Sequence, residues 1–186
     1  MKHLKGIVIV AMLLSVIKSQ AQEKWFTRNG KITFFSETPA ENIDANNNEV
    51  FSLLDPFKNE IAFQVLSTGF KFKRALMQEH FNENYMESTK FPKASFRGTI
   101  ADPSKVNFNK EGTYVVAING SLSIHGVTNK LSIPATIRVA NRKIIGETKF
   151  DISLADYNIK IPSLVSKQVS ETVTISVNCL YEPYDR

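Results

Sequence analysis

From residue 22 onward, apolar and polar positions alternate along most of the chain. Ile32 and Phe34 flank Thr33, and Ile61, Phe63 and Val65 are separated by Ala62 and Gln64. Phe70 and Phe72 enclose Lys71, and Ala94 and Phe96 enclose Ser95. Tyr114, Val116 and Ile118 share a phase, and Leu131, Ile133, Ala135, Ile137 and Val139 keep one through five steps. Phe150, Ile152 and Leu154 follow, and Val169, Val173, Ile175, Val177 and Cys179 close the pattern. A period of two turns one face of each segment inward, which predicts strands. Asn29-Gly30 and Asn119-Gly120 are turn or bulge signals, Asp55-Pro56 and Asp102-Pro103 end strands, and Asn46-Asn47-Asn48 is expected to be a loop. Strands at this short spacing, mostly without helical crossovers, predict an antiparallel sandwich or barrel. Only Arg74–Thr89 departs from the pattern. Leu76/Met77, His80/Phe81 and Asn84/Tyr85 recur there at helical intervals, which predicts one or two helical turns between strands. Pro92 ends that excursion, and Phe91 is expected to open the next strand.

The first twenty-one residues follow another logic. Lys2 and Lys5 precede the apolar run Gly6–Ile17, which is too short for the roughly 20 residues that a bilayer span needs. Ser19-Gln20-Ala21 supplies small residues at the two positions that define a cleavage site before Gln22. We therefore expect a signal peptide over 1–21, a single domain over 22–186, and a periplasmic or secreted protein. The leader carries Lys2, Lys5 and Lys18 and no acid, so 20 basic and 18 acidic residues remain and the net charge falls from +5 to +2. That balance, with lysines and acids interspersed, gives no footprint for nucleic acid. The single cysteine, Cys179, rules out an internal disulfide, and its phase predicts a buried thiol.

Residues 120–128 read Gly-Ser-Leu-Ser-Ile-His-Gly-Val-Thr, two alternating arms about a short turn. His80-Phe81, Asn84-Tyr85-Met86 and Lys90-Phe91-Pro92-Lys93-Ala94-Ser95-Phe96 precede them, and Asp156-Tyr157-Asn158-Ile159 and the final alternating strand follow. This set resembles the YceI-like family, lipocalin-like barrels that hold polyisoprenoid lipids. The chain resembles a divergent member: Asn29–Phe34 lacks a histidine common in the family's opening strand, and Met77 stands where an arginine is common. The resemblance implies an all-β, antiparallel, lipocalin-like β-barrel of about eight strands with a short helical insertion. It further implies a tubular cavity, an amphiphilic lipid ligand such as a polyisoprenoid or prenyl quinone, and no catalysis.

If such a cavity exists, its wall should be built from the inward-phase residues Phe34, Phe63, Phe72, Phe96, Val116, Leu122, Leu131, Ile133, Phe150 and Val173, with His80 reaching a polar head group. A closed barrel of about eight strands has room for one small ligand. Ten buried methylene-like carbons yield ~8 kcal/mol gross, about what micromolar binding needs net, so association costs require a longer tail. The bland alternative is a solid core, with a barrel that acts through its outer surface on a partner protein in envelope stress. A third reading is a hydrolase or isomerase using His80 or His125. Neither a nucleophile elbow nor a phosphate loop is present, and the two histidines lie forty-five residues apart without metal-ligand spacing. Ser121, Ser123 and Ser132 alternate with apolar residues like outward strand serines, and Asp156 is either a turn cap or a rim contact. A homodimer and a transient membrane contact stay open.

Overall fold

The computed structural model describes residues 23–37, 42–161 and 170–184. The expected signal peptide and Val169 lie outside them. The strands are β1 (Trp25–Ser36), β2 (Ile43–Asp55), β3 (Glu60–Leu66), β4 (Lys71–Phe72), β5 (Lys93–Ile100), β6 (Gly112–Ile124), β7 (Val127–Ala140), β8 (Lys143–Ser153) and β9 (Thr172–Pro183). Each of the eight long strands pairs antiparallel with its neighbour in the order β1-β9-β8-β7-β6-β5-β3-β2, and β1 also pairs with β2, so the sheet closes on itself. The two-residue β4 adds only Phe72 and Lys71 against Ala45 and Asn46. This is the expected eight-stranded antiparallel barrel. Its helical insertion is α1 (Ala75–His80), continued by a π-helical turn over Phe81–Tyr85.

Inward alternation fills one end of the barrel solidly. Leu54, Ile61, Ile100, Val116, Ile118, Ile137, Ile144, Cys179 and Tyr181 pack as one buried cluster there. The Tyr181 hydroxyl meets Ser52 Oγ at 2.8 Å, and Ser52 Oγ donates to the Ala62 carbonyl at 3.0 Å, so the buried hydroxyls have partners. Burial pushes the Cys179 thiol up to about 12 and holds the Tyr181 phenol well above its ordinary range. The thiol is buried, as its phase predicted.

Three local expectations need correction. Asn46-Asn47-Asn48 lies inside β2, not in a loop. Asn47 is 1% exposed and acts as a side-chain splice: Nδ2 donates to the Leu66 carbonyl and Oδ1 accepts from the Glu49 amide, where the β1–β2 register slips. Asn29-Gly30 does mark a bulge in β1, but Asn119-Gly120 runs straight through β6 in regular register. Gly120 is there for space. A Cβ would strike the Phe96 ring and come within 2.7 Å of the Arg97 carbonyl, and Gly98 lies directly opposite. Lastly, β5 begins at Lys93 rather than Phe91, because Phe91 leaves the sheet line to cover the β6–β7 turn.

Two outcomes test this packing. Gly120→Ala should cost about 1–3 kcal/mol in urea unfolding by forcing Phe96 aside. Stability should stay flat to the ordinary pKa of a thiol and fall as pH rises from about 9 towards 12. The raised pKa values of Cys179 and Tyr181 mean that the unfolded chain loses those protons first. Denaturant midpoints across an alkaline series would show it, and a flat series would contradict this account.

Candidate functional site: a phenylalanine-walled cavity

Above the solid end the barrel is hollow. A cavity of about 490 Å³ opens there, within the ~300–1,000 Å³ common for small-molecule sites. Its wall takes Ile32, Phe34 and Ser36 from β1, Phe63 and Val65 from β3, and Phe96 from β5. Leu122 and Ile124 come from β6, Ile133 from β7, Phe150 and Ile152 from β8, and Val173, Ile175 and Val177 from β9. These are the inward phases of the alternating strands.

The helical insertion completes the wall. Met77, Phe81 and Tyr85, four residues apart, all line the cavity. The Phe81 ring stacks on Phe34 at 5.4 Å and meets Phe72 at 5.0 Å and Phe70 at 5.6 Å. Phe34 also contacts Phe70 and Phe72, so one ring from β1, one from the turn and two from the β3–β4 region form a single aromatic cluster. Burial raises the Tyr85 phenol above its ordinary pKa, so the hydroxyl stays protonated at neutral pH.

Of the eleven residues singled out from sequence, Phe34, Phe63, Phe72, His80, Phe96, Leu122, Ile133, Phe150 and Val173 line this cavity. Val116 and Leu131 do not. Their inward phase was right, but Val116 belongs to the solid end at 4% exposure, and half-buried Leu131, opposite Gly120 and so at the height of the cavity, packs into the core without lining it. Alternation reports which face a residue takes and not its depth along the barrel. Phe70, Phe81, Met77 and Tyr85 were not among the eleven, although the helical stripe had already marked the last three. His80 is exposed on α1, near the exposed Leu76 and Arg74 that also line the cavity.

His125 stands elsewhere. It occupies the two-residue β6–β7 turn with Gly126, both at positive φ, +51° and +76°. Its Nδ1 faces the Tyr157 carbonyl at 3.2 Å and its Nε2 faces Glu87 Oε2 at 2.8 Å, while the Phe91 ring meets it edge-on at 4.5 Å. The imidazole thus ties three segments together: the end of the helical insertion, the hairpin and the turn after β8. Both ring nitrogens are engaged by protein groups. Among the described residues no three His, Cys, Asp or Glu side chains gather as a metal site. Ser123 bonds Thr128 across the hairpin on its outer side, and at exposed Asp156 it is the backbone carbonyl that takes the bond from Asn129 Nδ2.

One stretch of wall lacks its ladder. β7 pairs with β8 from Ala140 opposite Lys143 only as far as Thr136 opposite Glu147. Beyond that point β7 stays paired with β6 to Val127, and β8 with β9 to Ser153, but the two strands part. Pro134 has no amide to offer; its carbonyl accepts from Thr148 Oγ1 at 2.6 Å at the foot of the parting, and Asn129 reaches the Asp156 carbonyl at its head.

The YceI-like domain matches residues 17–180 of this sequence. The chain belongs to the YceI-like family. Among solved structures, a polyisoprenoid binding domain from Saccharophagus degradans, implicated in plant cell wall breakdown, superposes with a TM-score of 0.75 at 13% identity. That match covers 87% of this chain and 98% of the other. BcnA of Burkholderia cenocepacia gives 0.69 at 14% identity over 82% and 96% of the two chains, and the Campylobacter jejuni YceI protein 0.61 at 13% over 78% and 87%. At such identities the likeness is one of fold. No curated protein matches the chain.

His125→Ala should lower stability by about 1–2 kcal/mol, since the Tyr157 carbonyl and the half-exposed Glu87 carboxylate both lose their imidazole partner, and should leave the cavity able to load. Thermal unfolding beside a ligand-uptake assay separates the two effects; unchanged stability would remove the tie assigned to His125.

Proposed function

We propose that this YceI-like protein is an exported carrier that sequesters an amphiphile with a long apolar tail, of the isoprenoid class, inside its barrel. The observation that carries this reading is the hollow half of the barrel: an apolar cavity ringed by Phe34, Phe63, Phe70, Phe72, Phe81, Phe96 and Phe150 and stopped below by the solid cluster. An empty apolar space of that size gives up packing that the same side chains could have made, and a tail restores it at ~0.8 kcal/mol per methylene. The Saccharophagus degradans domain of the same fold is itself described as polyisoprenoid binding. Transfer here is burial and release, with no bond made or broken. The reading of a wholly solid barrel acting through its outer surface accounts for the lower half only. Export through the 1–21 leader would place the mature protein where lipid must cross water between membranes.

Native mass spectrometry of the mature chain purified from its own envelope fraction tests this directly. The expected result is a mass starting at Gln22 with an additional prenyl lipid or quinone, identified after organic extraction. A bare protein that stays bare after incubation with isoprenoids of several lengths would refute the carrier reading and favour the interaction barrel.

A further inference from the structure

The cavity wall is mostly apolar, and of its polar side chains, Ser36, Arg74, His80, Tyr85, Ser95 and Thr148, only Ser36 is buried with its polar atom unpartnered. β1 turns Ile32, Phe34 and then Ser36 inward, and Ser36 ends the strand opposite Ile43 of β2 at the open end of the cavity. Ser36 is 3% exposed, and its Oγ is the only buried side-chain nitrogen or oxygen among the described residues with no hydrogen-bond partner. The other buried serines are satisfied. Ser52 bonds the Ala62 carbonyl and Tyr181, Ser67 donates to the Phe91 carbonyl, and Ser88 donates to Asn82 Oδ1. A buried hydroxyl without a partner is costly, and an alanine would have served the wall better unless something completes the bond.

Resting on the carrier reading, we infer that Ser36 is where the wall recognises the polar end of the ligand, and that this end is an uncharged oxygen function, a hydroxyl or a carbonyl. A turn about χ1 carries Oγ from the wall towards the cavity, where it donates to a carbonyl or exchanges donor and acceptor roles with an alcohol. The site is wrong for a phosphate. Among the described residues, the only ionisable side chains on the wall are Arg74, His80 and Tyr85. Arg74 and His80 are exposed, and Tyr85 is held neutral by burial. A charged group drawn in beside Ser36 would be desolvated against Phe34 and Ile43 with one hydroxyl as recompense, which costs far more than burying a neutral oxygen. The tail then runs from Ser36 towards Phe96 and Leu122, down to the solid end.

Binding by the mature chain of three probes that share one tetraprenyl tail decides this: geranylgeraniol, the parent hydrocarbon without the hydroxyl, and geranylgeranyl diphosphate. The wild-type protein should hold the alcohol about tenfold more tightly than the hydrocarbon, the scale of one hydrogen bond made in an apolar site, and should hold the diphosphate least well. In Ser36→Ala the alcohol and hydrocarbon affinities should converge, while Ser36→Thr should restore the gap. The ligand-free melting temperature of Ser36→Ala should be no lower than that of the wild type, because no protein bond is lost; a serine with a purely structural role would lower it. Retention of the alcohol preference in Ser36→Ala, or tighter binding of the diphosphate by the wild type, overturns the inference and leaves the carrier reading standing. Failure of all three probes to bind overturns both.

Discussion

The closure of β1 onto both β2 and β9 is the constraint on which the rest of the molecule depends. An open sheet must cover a face to survive, whereas a closed one satisfies its backbone hydrogen bonds around the circumference and leaves no edge. Stability is then carried by the wall and by one filled end, so the other end does not need to be packed. The bulge at Asn29-Gly30 and the Asn47 splice both fall on β1 and β2, the strands whose pairing closes the ring. The irregularities sit at the place where register must be adjusted to complete the circle.

Closure also explains how the molecule divides its labour. Large side chains such as Tyr181, Leu54 and Ile144 fill the lower section to near-zero exposure. In the upper section the same inward phases carry phenylalanines that meet one another edge-on or stacked and leave the axis empty. The helical insertion brings Phe81 into that cluster and gives the cavity a roof on one side. His125, fixed between Glu87 and Tyr157, holds the base of the roof to the hairpin and to the turn after β8.

Much of this could be read from the chain before any coordinates, because period-two alternation is a direct statement about faces. Phe34, Phe63, Phe96, Leu122, Ile133, Phe150 and Val173 were legible as inward, and the stripe Met77, Phe81, Tyr85 was legible as one face of a helix. Height along the barrel was not legible, which is why Val116 was assigned to the wrong storey, and neither was the local packing that keeps Leu131 off the cavity surface. The role of Asn46–Asn48 was hidden for a related reason: asparagine clusters usually break strands, and only a long-range partner, the Leu66 carbonyl, turns one into a strand residue. Gly120 looked like a bend because its real cause, the Phe96 ring on the adjacent strand, is distant in sequence. Ser36 gave no signal at all, since an unmade bond exists only in three dimensions.

The parting of β7 from β8 above Thr136 and Glu147 gives the barrel an uneven mechanical character. Elsewhere the circumference is fixed by ladder hydrogen bonds, and widening it means breaking several of them together. Along the parting, the described contacts that cross are side-chain to backbone, Thr148 to Pro134 and Asn129 to Asp156. The wall is therefore stiff around most of its girth and compliant along one line. Any widening of this end of the barrel would fall along that line first, with the ladders elsewhere kept.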